Sequence, residues 1–264
     1  MTTRAVVLAR GLGTRMRQHD PAAPLSAEQQ AAADAGLKAM MPINGVPFLD
    51  YSLSALADAG INDVALVVAP DHAIVAERYR TIAPPRRLRI DFVVQDDAIG
   101  TANAILSARQ WTGGDPFLAM NADNLYPAAA LRDLAALREP GFPAFDADDL
   151  VRSSNIPAER VRAFALVELD DEGYLTRIVE KPAADLPQVI SMNCWRFDER
   201  IFDACREVPR SARGEFELPE AVGLAARRGV RFKALPARGP VLDLSRRADA
   251  ADVARRLAGV AAMP

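Results

Sequence analysis

A basic, glycine-bearing loop, Arg10-Gly11-Leu12-Gly13-Thr14-Arg15, follows directly on the apolar run Ala5-Val6-Val7-Leu8-Ala9, and Lys38, Asp123 and Asp243 stand near the ends of later runs. Bare backbone N–H groups and a guanidinium at a strand end make a seat for an anion, and a phosphate chain is its natural guest. Two separated carboxylates, Asp123 and Asp243, can hold a hard cation such as Mg2+ that keeps most of its waters. Cations at the phosphorus centre and carboxylates for a metal are together what phosphoryl chemistry with Mg2+ requires. Neither of two common phosphate loops is present. Met16 stands where a Rossmann dinucleotide loop has its third glycine, and the Gly-Lys-Ser/Thr of a Walker loop is absent. Taken singly, each residue also has an ordinary use: a tight turn at the glycines, an Asx turn at Asp123-Asn124, a helix start at Asp243, a solvated lysine at Lys38.

Such residues act together only if the chain returns repeatedly to one edge of a sheet. The run 5–9 is short and β-branched, as a buried parallel strand is. Further strands are expected over 63–69, 88–95 and 116–120, the last running into Asn121-Ala122-Asp123-Asn124. Helical patterns separate them: 48–59 closed by Gly60, 71–79, a helix opened by Gly100-Thr101-Ala102, and 128–137. This alternation predicts an α/β fold with a mostly parallel sheet covered on both faces. The second half is more mixed. A short strand at 142–145 and a polar stretch at 146–159 precede a hairpin of 162–169 with 174–179, turning at Asp170-Asp171-Glu172-Gly173. A strand over 189–197, helices over 198–206 and 216–228, strands over 231–235 and 241–242, and a helix over 245–259 complete the chain. Within residues 18–36, Ser26-Ala27-Glu28-Gln29 has the form of a capping box, so 27–35 reads as a short helix. Its small side chains suggest a surface flap beside the glycine loop.

Bulk properties narrow the partners. Half of the 264 residues are hydrophobic, a quarter are charged, and the net charge of −3 offers no basic excess for nucleic acid. Two cysteines and two histidines suit a reducing compartment and argue against a disulfide framework or a histidine-based metal site. No signal peptide is visible, and no apolar stretch approaches the roughly 20 residues that span a bilayer. A cytoplasmic protein of one domain is the expectation.

Several motifs, in order, resemble the sugar-1-phosphate nucleotidylyltransferases. Leu8-Ala9-Arg10-Gly11-Leu12-Gly13-Thr14-Arg15-Met16 is similar to the family's L-A-G-G-x-G-T-R-L signature, and Lys38-Ala39-Met40-Met41-Pro42 with Gly45-x-Pro47 to its lysine–proline segment. Gln95 with Gly100-Thr101-Ala102 resembles the base-reading strand and turn, and Asn121-Ala122-Asp123-Asn124 the metal-binding strand end. Val179-Glu180-Lys181-Pro182 resembles the sugar-phosphate segment, with Met192-Asn193, Gly214-Glu215 and Leu242-Asp243 following in family order.

The resemblance implies a Rossmann-like three-layer α/β/α sandwich with a mostly parallel mixed sheet, the GT-A-like nucleotidyltransferase fold. Residues 1–140 would form its nucleotide-binding half and 141–264 its sugar-phosphate-binding half. It also implies roles. Leu8, Ala9, Arg10, Gly11, Gly13 and Thr14 would line the nucleotide, with Arg15 on the phosphates that leave and Lys38 on the α-phosphate. Gln95, Gly100 and Thr101 would meet the base. Asp123 and Asp243 would hold Mg2+. Asn121, Glu180, Lys181, Asn193 and Glu215 would bind the sugar phosphate. The implied reaction is in-line attack of a sugar 1-phosphate on the α-phosphorus of an NTP, with UTP or dTTP favoured by Gln95, possible homo-oligomers, and no nucleic-acid or membrane partner. A phosphate monoester needs no general base, so positioning and charge neutralisation carry the catalysis.

Three departures from the pattern bear on specificity. Arg10 replaces the first glycine of the loop and either points away or adds a cation beside the nucleotide. Residues 18–36 lengthen the gap between Arg15 and Lys38. The stretch 142–162, with Ser153-Ser154-Asn155-Ile156-Pro157, is rewritten where the sugar should sit. Two alternatives stay open: a GTP- or CTP-dependent enzyme acting on a mannose- or heptose-type phosphate or on phosphocholine, and a non-catalytic, ligand-sensing regulatory subunit.

Overall fold

In the computed structural model, which describes residues 1–11, 13–161, 164–179 and 189–264, the first half runs β1 (Arg4–Leu8), α1 (Thr14–Arg17), α2 (Ala27–Asp34), β2 (Pro42–Ile43), β3 (Val46–Pro47), α3 (Phe48–Asp58), β4 (Asp63–Val68), α4 (Ala73–Glu77), β5 (Arg89–Val94), α5 (Thr101–Ser107), α6 (Arg109–Thr112), β6 (Phe117–Asn121), β7 (Asn124–Leu125) and α7 (Ala128–Ala136). The second half runs β8 (Gly141–Asp146), α8 (Ala147–Ser153), α9 (Ala158–Val161), β9 (Ala165–Leu169), β10 (Leu175–Val179), β11 (Val189–Ser191), β12 (Trp195–Phe197), α10 (Arg200–Glu207), α11 (Leu218–Arg227), β13 (Lys233–Ala237), β14 (Leu242–Asp243) and α12 (Asp249–Arg256).

One sheet runs through both halves in the order β10-β9-β11-β8-β12-β6-β1-β4-β5, with β13 paired to β8. The strands β6, β1, β4 and β5 are parallel, whereas β12 joins β6 antiparallel. Side chains along the parallel strands alternate between two cores, as a sheet covered on both sides demands. Ala5, Val7, Leu66 and Met120 face a core with Leu53 of α3 and Leu131 of α7. Val6, Ala65, Val67 and Ala119 face the other, with Ile105 of α5, Phe202 of α10 and Val222 of α11. Helices therefore lie on both faces, in the three layers expected.

The sheet places the functional loops through its connectivity. The chain passes from β1 to β4 and β5 on one side, then crosses to β6 on the other, so the carboxyl end of β1 is a switch point where a crevice opens. Ala9 N–H donates to Val67 O and Ala122 N–H to Leu8 O, which seats the glycine loop between the ends of β4 and β6.

Residues 18–36 lie at the surface as expected, mostly exposed, but they are anchored to the glycine loop. The capping box forms as read: Gln29 N–H donates to Ser26 Oγ, and Ser26 N–H to Gln29 Oε1. Small residues here permit close approach instead of weak anchoring. Ala33 is buried in a third apolar cluster with Met16, Phe48, Leu244 and Val253. A Cβ on Gly13, whose φ is +62°, would lie 2.6 Å from Gly36 O, so the glycine loop and the insertion meet backbone to backbone. Arg247, only 4% exposed, fastens the assembly. Its Nε donates to Met16 O (2.8 Å), Nη1 to Gln30 Oε1 (2.5 Å) and Nη2 to Asp34 Oδ1 (3.1 Å). Replacing it by methionine keeps the stem and removes the donors. Arg247→Met is expected to lose about 1.5–3 kcal/mol of stability, with faster amide exchange concentrated in α1 and α2. Unchanged exchange there would contradict the fastening role.

Other boundaries move for local reasons. The apolar run 189–197 is two strands, because Asn193 takes a left-handed φ of 60° and turns the chain from β11 to β12. The last helix starts at Asp249, not at 245, because the Asp249 carboxylate accepts the N–H groups of Ser245 (2.9 Å) and Arg246 (2.7 Å) and holds them as a turn. Asp243 consequently belongs to β14, not to a helix start, and pairs across from Asn124.

Candidate active site

The glycine loop presents its backbone at the crevice. Gly11 is exposed, and a Cβ placed on it would lie 3.6 Å from Lys38 Cε and 3.8 Å from Lys38 Nζ. Lys38 opens a 3-10 turn over Lys38–Met40, and its ammonium bonds the Asp123 carboxylate directly. Leu8 and Ala9 are half-buried, and Thr14 and Arg15 are exposed on α1. Arg15 makes no hydrogen bond or ion pair among the described residues, which leaves its guanidinium available. Leu12 lies outside the described residues.

Asp123 and Asp243 meet through a two-residue ladder. β7 and β14 pair antiparallel, and Leu244 N–H donates to Asp123 O at 2.9 Å. Asn155 clamps the second strand, accepting Asp243 N–H and donating to Asp243 O, both at 2.8 Å. The Asp243 carboxylate is 3% exposed. It accepts from Arg160 Nη2 at 2.6 Å and from Ser245 Oγ at 2.5 Å, while Arg160 Nη1 is held by Asp249. Burial, and next the negative charge of Asp123, push the Asp243 carboxyl up to about 6, against the opposing pull of Arg160 and Ser245.

A buried carboxylate turned towards a second one, with like charge raising its proton affinity, fits a cation site. Among the described residues no group of three or more His, Cys, Asp or Glu could cage a metal. The residues here that could hold a cation are the two carboxylates Asp123 and Asp243, a pair chemically suited to a hard cation that keeps water ligands.

A second constellation lies at the end of β5. Gln95 is a buried side chain, 3% exposed, not an exposed one. Its amide nitrogen donates to Gly100 O (3.1 Å) and Asn103 Oδ1 (2.8 Å). The carbonyl of Gly100 fixes which way that amide points and leaves the oxygen as its acceptor face. Arg10 resolves towards this end of the sheet: Nε donates to Gln95 O (2.6 Å) and Nη2 to Asp96 O (2.7 Å). Its Nη1 is buried without a partner among the described residues.

Gly100, at φ +120°, faces the backbone of Phe216, where a Cβ would come within 2.3 Å of the carbonyl oxygen. Ala102 N–H donates to Phe216 O, Phe216 N–H to Ile99 O, and Leu218 N–H to Thr101 Oγ1. The close approach that Gly100 serves here is thus to the loop carrying Glu215, and Thr101 caps α11. Gly100→Ala is expected to cost about 1–3 kcal/mol through overpacking, read as a lower denaturation midpoint. An unchanged midpoint would show that the 215–218 loop yields freely.

Of the residues the resemblance assigns to the sugar phosphate, Asn193 Nδ2 donates to Asn121 Oδ1 at 3.2 Å, and Trp195 Nε1 donates to Asn193 Oδ1 at 3.1 Å. Glu215 is half-buried, and its carbonyl accepts Ser211 N–H. Glu180 and Lys181 lie outside the described residues. Contacts therefore connect Gly11, Lys38, Asp123 and Asp243 in one group, and Arg10, Gln95, Gly100 and Thr101 in another, both at the carboxyl ends of the parallel strands. Sequence reading missed Asn155, Arg160, Arg247 and Asp249. The first two come from the rewritten polar stretch, whose irregular composition was the one signal. The two cysteines, Cys194 and Cys205, are buried free thiols, the latter pushed by burial up to about 12, and neither is available as a nucleophile.

Comparisons with known proteins agree with this geometry. The family model described as nucleotidyl transferase matches residues 4–241. UTP–glucose-1-phosphate uridylyltransferase AglF of Haloferax volcanii is 28% identical over 253 residues, which are 96% of this chain and 96% of that protein. A glucose-1-phosphate thymidylyltransferase of Streptomyces griseus is 30% identical over 223 residues, 83% of this chain, and the chain spans only 56% of its length. Among solved structures, UDP-glucose pyrophosphorylase complexed with UDP-glucose superposes with a TM-score of 0.77 at 18% identity, covering 98% of this chain and 99% of that one, which shows the shared fold. Among the described residues no helix is long and apolar enough to cross a membrane. With the family model spanning residues 4–241, the chain belongs to the nucleotidyl transferase family, as its resemblance to the sugar-1-phosphate nucleotidylyltransferases implies.

Proposed function

We propose that this chain transfers a nucleoside monophosphate from UTP or dTTP to a sugar 1-phosphate, releasing pyrophosphate, and that the reaction depends on Mg2+. The observation that carries the reading is the contact of Lys38 with Asp123 beside Gly11, with Asp243 on the strand paired alongside. A sugar-phosphate oxygen attacks the α-phosphorus, the bond from that phosphorus to the bridging oxygen breaks, and pyrophosphate leaves with the bonding pair. Lys38 neutralises the α-phosphate, Arg15 the departing phosphates, and the bare, exposed backbone at Gly11 leaves room for the phosphate chain. Asp123 and Asp243 are the residues that would hold Mg2+, which when bound supplies positive charge to the phosphate oxygens. Arg160 and Ser245 keep Asp243 oriented, and Asn155 fixes its backbone.

Base preference follows from the Gln95 amide. Both of its hydrogens are committed to Gly100 O and Asn103 Oδ1, so it offers a base only an acceptor. Uracil and thymine present an N–H donor at N3, where cytosine presents an acceptor, so the amide separates UTP and dTTP from CTP. Guanine offers a donor at N1, and the pyrophosphate-release assay separates GTP. Arg10 holds the carbonyls of Gln95 and Asp96 and steadies that edge.

The test is a pyrophosphate-release assay with each NTP crossed against a panel of sugar 1-phosphates, with and without Mg2+. Turnover with UTP or dTTP, abolished by chelation, is the expected result. Nucleotide binding without turnover for any pair would leave the regulatory reading, and turnover confined to CTP or GTP would overturn the base assignment.

A further inference from the structure

The opposite end of the sheet carries a polar cavity of about 420 Å3, lined in part by Thr2, Thr3, Arg4, Asp115, Arg138 and Arg196. Arg4 begins β1 and Asp115 lies just ahead of β6, so this cavity opens at the amino ends of the parallel strands, whereas Gly11 and Asp123 lie beyond their carboxyl ends.

Arg196 is anomalous among the buried cations. It sits within β12, opposite Leu118 of β6, and is 5% exposed. Two other buried arginines are each paired, Arg160 with Asp243 and Asp249, Arg247 with Asp34. Arg196 has no ion pair among the described residues, and its one side-chain hydrogen bond there runs from Nε to Thr2 Oγ1 at 3.2 Å. The acidic groups around it are spent elsewhere. Asp198 is bound by Arg200 at 2.7 Å, Glu139 accepts the Tyr174 hydroxyl at 3.2 Å, and Asp115 faces Arg4 at 3.4 Å. Among the described residues, the fully buried side-chain nitrogens without partners are Arg10 Nη1 and Arg78 Nε, so the terminal nitrogens of Arg196 keep some access, and the residue lines the cavity.

Burial pulls the Arg196 pKa down from its ordinary value, but a guanidinium stays charged at neutral pH. Asp198 and Glu139 favour the charged form without an ion pair to it, burial outweighs them, and a partner in direct contact recovers part of that cost. Arg138 adds a second guanidinium at the rim, exposed and unpaired among the described residues, and Thr2 and Thr3 bring hydroxyls. Arg4 Nη1 donates to the carbonyls of Trp111 and Thr112 and faces Asp115, which offsets that carboxylate.

We propose that this cavity is an anion seat for a phosphate group, held by Arg196 from within the sheet and by Arg138 from the rim. A fork of guanidinium donors matches phosphate oxygens two at a time. The seat is separate from the cleft, and it holds whether or not the transferase reading does.

The test is calorimetric titration of the full chain with inorganic phosphate, pyrophosphate and glucose 1-phosphate. The titration is repeated on Arg196→Met, Arg138→Ala and Lys38→Met. Wild type and Lys38→Met are expected to keep a phosphate site that Arg196→Met and Arg138→Ala weaken by about 10- to 100-fold. The exposed Arg138 position guards against misfolding as the cause. Tighter binding of glucose 1-phosphate than of inorganic phosphate in that site would assign a phosphate monoester as the ligand, and the reverse order a free phosphate. A second readout is thermal stability. Arg196→Met is expected to match or exceed wild type in phosphate-free buffer, with wild type gaining on it as phosphate is added. Phosphate affinity unchanged in both arginine variants, or lost only in Lys38→Met, would overturn the proposal.

Discussion

Lys38→Met is expected to lower the rate of pyrophosphate release by about 10²–10³-fold at saturating substrates, the size of effect seen when one charge-stabilising contact is removed from a transition state. Methionine keeps the length and packing of the stem, so the loss isolates the ammonium. The position of that ammonium is what makes the expectation large. It lies against the bare face of Gly11, where a phosphate chain would run, and bonds Asp123. The same variant should also change the apo protein. Without Lys38, Asp123 is left beside Asp243 with no cation of its own, so thermal stability falls in the absence of metal. Added Mg2+ should then raise the melting temperature of the variant more than that of wild type, because Lys38 no longer competes for Asp123. A variant with wild-type turnover would remove Lys38 from the chemistry, and an unaltered response to Mg2+ would remove Asp123 from the metal site.

The meeting of Lys38 and Asp123 was legible because Asp123 follows a strand that ends beside β1, and Lys38 follows the glycine loop and the insertion packed on it. The alternation of Ala5, Val6 and Val7 between two cores is likewise written in the apolar, β-branched run. What stayed hidden has physical reasons. Arg160 and Asn155 arise from short polar segments with no periodicity to orient them, and their partners, Asp243 and Asp249, are more than eighty residues away. Asn193 breaks a strand by adopting a left-handed conformation, which leaves no mark in hydropathy. Gly100 was read against a nucleotide, but its near neighbour is Phe216, a backbone contact that no side-chain pattern encodes. The 18–36 segment shows the same limit. Ala33 and Gly36 pack because they are small, whereas smallness in a sequence reads as lack of anchorage.

Asp243→Asn separates function from stability in opposite directions. Activity is expected to fall by about 10²–10³-fold, since an amide holds a hard cation far less well than a carboxylate. Stability without metal should behave otherwise. The folded-state carboxyl is pushed up to about 6 by burial and by Asp123, above its unfolded value of about 3.9. The folded chain therefore binds this proton more tightly than the unfolded one. The associated stability is fully present below about pH 4 and is lost as pH rises through about 6. Asparagine resembles the protonated form at every pH: its amide oxygen still accepts from Arg160, its amide nitrogen takes the place of the other oxygen and can donate to Ser245 Oγ, and Arg160 keeps Asp249. The melting temperature of the variant relative to wild type should consequently climb between about pH 4 and pH 7 in metal-free buffer. Mg2+ should reverse the order by stabilising wild type alone. A constant difference across that pH range would mean that Asp243 is ordinarily ionised and paired with Arg160 for structure, and its place at a cation site would have to be given up.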